Sequence, residues 1–368
     1  MKIFFIFIIV VHGLIHLLGF VKAFKLAEVA QLTQGISKPA GAAWLLAALL
    51  FIITSLLFLL QKDYWWAIVV PALVNSETLI IFSWGDAKYG TIANIIILLP
   101  LIVSIMGALP SSFHNIYKAE IRKGLYRFSE MPLVSEFDLH DLPVPVQKYL
   151  RYAGVVGKPR VQNFRAKFNG QIKPRMQGDW MDFISQQYNF LDDSTRIFFI
   201  ESKTYGIPFD GLHFYAGTSA TMQIRVASLI QVVDAKGEKM FKGETVTLFN
   251  DMCIMAPASL IDKNIQWKTI DPHTVKATYT NKGTAITALL YFNEKGELIN
   301  FISDDRYLSE DGKTYRNYRW STPIKNYKNV GGRNIPSYGE VIWHTPEGDF
   351  IYGRFNLFEI EYNCKEFR

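Results

Sequence analysis

The sequence predicts a membrane α-helical bundle of four transmembrane helices, followed by a mainly-β domain with an antiparallel, strongly curved sheet or half-barrel and an inserted helix. Residues 1–110 hold four long apolar segments, whereas nearly all of the charge lies beyond Tyr117. From about Val161, apolar and polar residues alternate with the period of half-buried strands. We therefore expect a four-helix transmembrane domain at 1–110, a basic amphipathic linker at 111–140 and an antiparallel β domain at 141–368.

Each apolar segment has close to the roughly 20 residues that cross a hydrocarbon core. Such a span must be helical, because lipid cannot satisfy free backbone groups. Aromatic residues such as Trp66 and Trp84 lie near the segment ends, as is typical of the headgroup level. The segments run from Ile3 to Val21, Ala40 to Leu60, Tyr64 to Phe82 and Thr91 to Leu109.

Four spans place both ends of the chain on one side of a membrane, so we expect a multi-pass protein of the cell membrane. The positive-inside rule favours a cytoplasmic β domain, although the difference between the two sides is small. One side collects Lys2, Lys62, Lys118, Arg122, Lys123 and Arg127, and the other collects Lys22, Lys25, Lys38 and Lys88.

Polar side chains inside the apolar segments form a candidate intramembrane site. His12 and His16 are four residues apart and share a helix face, and Asn75 and Glu77 lie near the middle of the third segment. Ionisable groups at this depth usually face the bundle interior. They could hold a metal, relay a proton or bind a quinone-like headgroup, or they could simply bond the helices together.

Residues Ser111 to Arg127 have the pattern of a basic amphipathic helix, with Phe113, Tyr117 and Ile121 near one face. Two interpretations remain open. Such a helix could lie on a membrane surface, or the segment could be a solvated linker.

Short turns separate the strand-like runs of the β domain, and glycine supplies the positive φ that hairpins need. We expect about ten or more antiparallel strands in a meander. The dense apolar stretch from Glu244 to Ile261 has a spacing nearer to a helix, which would plug the concave face of a curved sheet. The predicted hairpin turns are Asp234-Ala-Lys-Gly, Asn281-Lys-Gly, Asn293-Glu-Lys-Gly, Glu310-Asp-Gly and Pro346-Glu-Gly.

Four stretches of the β domain, QKYLRYAG, DGLHFYAGTSATMQIRV, NDMCIMAPASL and NIPSYGEVIWH, resemble a bacterial membrane-anchored family of unknown function over roughly residues 140–362. That resemblance implies no catalytic residues. The stretch HGLIHLLGF, the Trp-rich third segment and WGDAKYGTIAN resemble the DoxX-like four-helix membrane proteins. Some members of that family are linked to quinone or redox partners. The expected sheet and helix also resemble, at the level of fold, the half-barrels of lipoprotein carriers.

Candidate polar residues of the β domain fall into two groups. His213 and Tyr215 could share one face of a strand, and Asp210, before that strand, could orient His213 as a general base. Alternatively, the three are simply polar residues at a strand end. Glu244, Asn250 and Asp251 could form a small acidic site, and capping or solvation would explain these residues as well. No nucleophile motif, HExxH, Walker A or dinucleotide fingerprint is present, so the sequence identifies neither an enzyme nor a metal or other cofactor.

The net charge of +6 is not clustered as nucleic-acid binding requires, and two cysteines give no disulfide or zinc pattern. The 27 Phe and 18 Tyr, many of them in strands, could line an apolar cavity. We therefore expect a membrane-anchored protein, partnered by the lipid bilayer, that binds a lipid or other hydrophobic small molecule. The alternatives are a redox or metal- or quinone-linked membrane enzyme using the intramembrane site, and a structural envelope protein.

Overall fold

The computed structural model describes residues 2–127, 129–204 and 206–368 and divides into two compact units, Met1–Leu109 and Pro110–Arg368. Four helices of the described chain are long and apolar enough to cross a membrane, the last of them beginning at Gly90. They coincide with the four segments that the sequence predicts. The helices of the first unit are α1 (Lys2–Ala23), α2 (Lys38–Leu59), α3 (Trp65–Phe82), the short α4 (Trp84–Ala87) and α5 (Gly90–Ala108).

Helices α1 and α2 approach each other closely because glycine occupies the points of contact. A Cβ atom on Gly19 would collide with the ring of Trp44, and one on Gly41 would collide with the side chain of Ala23. Small residues permit such close approach between apolar helices. The outer face of the unit is itself apolar, with exposed side chains that include Ile3, Phe7, Leu14, Leu49, Val74 and Leu99.

The described residues of the second unit form three α-helices and a large sheet. The helices are α6 (Phe113–Leu125), α7 (Val144–Tyr152) and α8 (Glu238–Met255), and short 3-10 turns cover Phe137–Leu139 and Pro257–Ile261. The first ten strands are β1 (Asn163–Ile172), β2 (Met181–Phe190), β3 (Thr195–Thr204), β4 (Ile207–Ala216), β5 (Ser219–Val226), β6 (Ile230–Lys236), β7 (Ile265–Asp271), β8 (Thr274–Asn281), β9 (Thr284–Phe292) and β10 (Leu298–Ser303). The others are β11 (Tyr307–Leu308), β12 (Arg316–Asn317), β13 (Arg319–Ser321), β14 (Ile324–Val330), β15 (Arg333–Thr345) and β16 (Gly348–Tyr362).

Fourteen of the described strands form one open sheet in the order β6-β5-β4-β3-β2-β1-β16-β15-β13-β10-β9-β8-β7, with β14 paired to β15. Every ladder in it is antiparallel. Strands β11 and β12 form a separate pair. The expected antiparallel meander is present on both sides of β16, which pairs with β1 and joins the two halves.

Helix α8 lies between the edge strands β6 and β7 in the chain and is almost wholly buried. It contacts both β5 and β9, which are far apart in the strand order, so the sheet curves around it. Phe249 of α8 stacks on Tyr279 of β8 with ring centroids 5.0 Å apart. The helix expected near Glu244 is confirmed, and Pro257 begins the following 3-10 turn.

Four of the five predicted hairpin turns join neighbouring strands, but the one at Asp234–Gly237 is wrong. There β6 ends and α8 begins, with Gly237 at the helix N-cap at φ 95°. Glycine adopts a positive φ without strain in many settings, so its presence in a turn-like stretch did not distinguish a hairpin from the start of α8.

Helix α6 packs on the outer face of the sheet. Phe113, Tyr117, Ile121 and Leu125 are buried against apolar side chains of β2, β3 and β4. A Cβ atom on Gly124 would collide with the ring of Phe190. Its apolar face is therefore covered by protein. The two expected arrangements were a helix lying on a membrane surface and a solvated linker, and a helix packed on the sheet is neither of them.

Replacing Ile121 with alanine should lower the free energy of unfolding of the second unit by about 2–5 kcal/mol, because a fully buried aliphatic side chain is removed. Thermal unfolding of the full chain in detergent, followed by limited proteolysis, measures the loss. Lys123→Ala, on the exposed face of the same helix, is the matched control. Equal behaviour of the two variants would contradict the packing of α6 on the sheet.

Candidate functional site

A cavity of about 800 Å³ lies between α8 and the concave face of the sheet. Strand alternation supplies its wall, because every second residue of a strand faces the same side. On β5 the inward residues are Met222, Ile224 and Val226, and on β3 they include Phe198 and Ile200. Further lining comes from Phe168, Phe209, Ile254, Trp343, Phe355 and Leu357.

A buried group of charged side chains lies within this lining. Glu244, on the first half of α8, accepts a hydrogen bond from Arg196 Nη1 at 3.3 Å and another from Arg306 Nη2 at 3.2 Å. His213 Nδ1 lies 3.9 Å from Glu244 Oε1. All of these residues line the cavity, so β3, β4, α8 and the segment after β10 meet at one polar point.

Asp251 extends this polar cluster two helical turns along α8. Its Oδ2 atom accepts hydrogen bonds from Arg196 Nε at 2.6 Å, Gln187 Nε2 at 3.0 Å and Asn189 Nδ2 at 3.1 Å. Two guanidinium groups thus face two carboxylates in a buried setting. The charges of the four residues cancel, which offsets much of the cost of burying them.

The electrostatics keep Glu244 ionised. Burial opposes the charged carboxylate, but the neighbouring His213 and the charges of Arg196 and Arg306 outweigh it and hold the pKa of Glu244 well below its usual range. Burial likewise opposes the charge of Arg306, whereas Tyr352 and Glu244 raise its pKa.

Arg306 is also held by aromatic side chains. Its guanidinium carbon lies 4.3 Å from the centroid of the Trp320 ring and 5.4 Å from that of Trp343. Its Nη1 atom donates to the Tyr352 hydroxyl at 2.9 Å. The cation is therefore fixed in one orientation at the cavity wall.

The structure brings together four of the six predicted residues of the β domain, His213, Glu244, Asn250 and Asp251. Tyr215 shares the inward face of β4, but its hydroxyl lies 3.0 Å from Thr245 Oγ1 and accepts from Asn281 Nδ2 at 2.7 Å. Its ring stacks on Phe241. Tyr215 thus serves packing, away from the cavity wall.

Asp210 is not placed to orient His213. Both residues lie within β4, three positions apart, so their side chains point to opposite faces of the sheet. The Asp210 carboxylate instead accepts a hydrogen bond from Ser228 Oγ at 2.6 Å. The expectation failed because the strand begins at Ile207, before Asp210.

Sequence reasoning missed Arg196 and Arg306. Arg196 has the same parity as Phe198 and Ile200, so it lies on the apolar face of β3. A charged residue at such a position indicates a buried polar contact, and the alternation in the sequence could have revealed it. Arg306 follows β10 in an irregular segment, where no periodicity assigns a side-chain direction. Cys253 is buried on α8, and burial raises the pKa of its thiol well above the ordinary value, so it offers no thiolate nucleophile.

The polar residues of the first unit form a second cluster. The Asn94 amide oxygen accepts from His12 Nε2 at 2.8 Å, and its amide nitrogen donates to Glu77 Oε2 at 2.7 Å. Thr91 Oγ1 donates to the other oxygen of Glu77 at 2.9 Å. Asn94 therefore connects α1, α3 and α5 through side-chain hydrogen bonds.

The other two predicted residues of the first unit point elsewhere. Asn75 donates to the backbone oxygen of Ala43 on α2 at 2.8 Å, and His16 Nδ1 lies 2.8 Å from the backbone oxygen of His12. Within residues 2–127, 129–204 and 206–368, no three His, Cys, Asp or Glu side chains are grouped so as to hold a metal ion. The contacts that are present suit helix association.

Comparisons with known proteins identify a family for most of the second unit. Residues 132–355 match a family described as "Family of unknown function (DUF6544)". No curated protein matches the chain. A LolA superfamily protein from Nitrosomonas europaea is similar at 12% identity and a TM-score of 0.34, over 60% of this chain and 94% of that one. A domain of a candidate outer membrane lipoprotein-sorting protein from Vibrio parahaemolyticus is similar at 10% identity and a TM-score of 0.31, over 54% of this chain and 85% of that one.

Glu244→Gln should destabilise the second unit by about 3–5 kcal/mol at neutral pH, because Arg196 and Arg306 lose a buried counter-charge. The carboxylate stabilises the fold fully above its ordinary pKa of 4.5 and less as the pH falls below it. Thermal unfolding across pH should therefore show the variant approaching the original chain in acid. Glu136→Gln, which breaks an exposed pair with Arg151, is the control and should change little.

Asn94→Leu should lower the stability of the helical unit in detergent by about 0.6–2 kcal/mol, because His12 and Glu77 lose their shared partner. Thermal melting, monitored by the circular dichroism signal of the helices, measures the change. Ile95→Leu, at the neighbouring exposed position, provides the comparison. A melting temperature as high as that of the control would exclude a bridging role for Asn94.

Proposed function

The chain belongs to the Family of unknown function (DUF6544), and we propose that its second unit binds a lipid or other hydrophobic molecule in the cavity beside α8. The observation that carries the proposal is the cavity itself. Its volume of about 800 Å³ falls within the range of about 300–1,000 Å³ that is usual for small-molecule sites. Empty cavities of this size are otherwise rare, because protein cores pack densely.

Apolar burial supplies the affinity in this proposal. Removing aliphatic surface of a ligand from water contributes about 25 cal/mol per Å² before the costs of association. The wall of Phe, Ile, Val and Met side chains can accept an acyl chain or a fused ring without unsatisfied hydrogen bonds. Met222 and Met240 add adaptable surface, since methionine fills irregular gaps.

The polar cluster gives the ligand a preferred direction. Its four charged residues already satisfy one another, so the cluster favours a headgroup that is neutral or carries a single charge. Within the polar cluster, His213 is best placed to bind the headgroup, because its side chain is 21% exposed and lies no nearer than 3.9 Å to Glu244. An amphiphile would lie with its polar end near His213 and its tail along β5 and β3.

The helical unit anchors this binding domain in the cell membrane. Four long apolar helices with apolar outer faces fit a multi-pass bundle, since exposed aliphatic surface of this extent is unfavourable in water. The positive-inside rule favours the cytoplasmic side for the β-rich unit. A C-terminal reporter fusion with matched cytoplasmic and external reporters tests that orientation.

Ile224→Trp should reduce ligand binding, because the larger ring fills the cavity from β5. Native mass spectrometry of the full chain in mild detergent detects co-purified ligand, and parinaric acid, a fluorescent fatty acid, reports binding directly. We expect the affinity to fall about tenfold or more, a change of about 1.4 kcal/mol or greater.

Thr221→Trp is the matched control, since it places the same ring on the opposite face of the same strand. Binding that survives Ile224→Trp unchanged, or a chain that carries no hydrophobic ligand and takes up no parinaric acid, would overturn the proposal.

A further inference from the structure

The tips of two neighbouring hairpins present exposed aliphatic side chains to solvent. Ile207 begins β4, Leu229 lies in the β5–β6 turn, and Ile230 and Val232 follow that turn in β6. They are between 43% and 64% exposed. The backbone nitrogen of Ala227 donates to the oxygen of Pro208 at 2.8 Å, which places the β5–β6 turn beside Ile207. We call these four side chains the aliphatic rim.

The aliphatic rim is continuous with the cavity. Val232 belongs to both, since it lines the cavity while nearly half of its surface is exposed. Thr204 and Val226, which flank the two hairpin turns, also line the cavity. The rim therefore borders the cavity at this end of the sheet.

The first residues of the second unit contact the strand end beside this rim. Arg225, next to the β5–β6 turn, donates from Nη1 to the backbone oxygen of Ser111 at 2.9 Å, and its guanidinium lies 4.0 Å from the Phe113 ring centroid. Ser111 follows Ala108, the last residue of α5, by three positions. Three residues span at most about 10 Å, so Ser111 stays near a membrane that α5 crosses.

Cations accompany the exposed aliphatic side chains. The Thr204 hydroxyl donates to the Met181 sulfur at 2.8 Å, so the end of β3 lies beside the start of β2 and the β1–β2 connection that precedes it. That connection carries Lys173 and the exposed Arg175, and Lys203 is exposed at the end of β3. Asp179 is the acidic residue of the connection. Aliphatic side chains with neighbouring cations suit an anionic lipid surface.

We propose that the aliphatic rim docks onto the lipid bilayer in which the chain is anchored, and that ligand passes between bilayer and cavity across it. This inference rests on the proposed function for the identity of the cargo. The docking itself is a separate physical claim. It requires the rim side chains to reach the acyl region of the bilayer.

The test uses the full chain reconstituted into vesicles of phosphatidylcholine and phosphatidylglycerol. Ile230→Cys is labelled with an environment-sensitive fluorophore, while Cys253 and Cys364 are buried and stay unlabelled. Lipids with a doxyl group on the acyl chain should quench this label. Ile270→Cys, a similarly exposed residue on the other edge strand, β7, is the control and should not be quenched.

A rim label that is no more quenched than the Ile270 label overturns the docking proposal. A second copy of the chain, pairing through edge strand β6, is the rival occupant. It would shield the label without doxyl quenching and give a crosslinked dimer, which also overturns the proposal. Weaker quenching in vesicles of phosphatidylcholine alone would show that the cations contribute.

A double variant, Leu229→Ser with Ile230→Ser, separates docking from binding. Equilibrium uptake of parinaric acid in detergent should be unchanged. Its transfer from vesicles should slow by about tenfold or more, because two aliphatic side chains no longer partition into lipid. Unchanged transfer would overturn the role of the rim and leave the binding proposal intact. Absent uptake by the original chain would instead remove the proposed function, while the quenching still reports docking.

Discussion

The ion pairs between α8 and the sheet are the interaction on which the rest of the second unit depends. The apolar concave face of an open sheet must be shielded from water. The hydrophobic effect alone does not fix the orientation of a helix on that face, because the effect is non-directional. Glu244 and Asp251 reach Arg196 from two turns of α8, and Arg306 holds Glu244 from the other side. These contacts fix the rotation of the helix, and the part of the concave face that it leaves uncovered is the cavity.

Much of the architecture was predictable because it follows from periodicity. Segment length and polarity predicted the four apolar helices, and period-two alternation predicted the strands and the shared face of His213 and Tyr215. The side-chain partners were less accessible. Arg306 meets Glu244 across 62 positions of sequence, and Arg196 meets Asp251 across 55. Such pairings depend on the strand order, which no local pattern specifies.

Helix α6 shows a second limit of sequence reasoning. An apolar stripe with flanking cations satisfies a lipid surface and a protein surface equally, so the sequence predicts amphipathicity without the identity of its partner. The deciding contacts are with Tyr188, Phe190 and Phe199, on strands about seventy residues away. The aliphatic rim differs from α6, because its side chains remain exposed after the second unit has folded.

The position of β16 has a consequence for synthesis of the protein. It occupies the middle of the strand order, between β1 and β15, although it follows the other strands in the chain. Until the ribosome releases it, β1 presents an unpaired edge, and the two halves of the sheet remain unjoined. Such an edge can recruit foreign strands during translation.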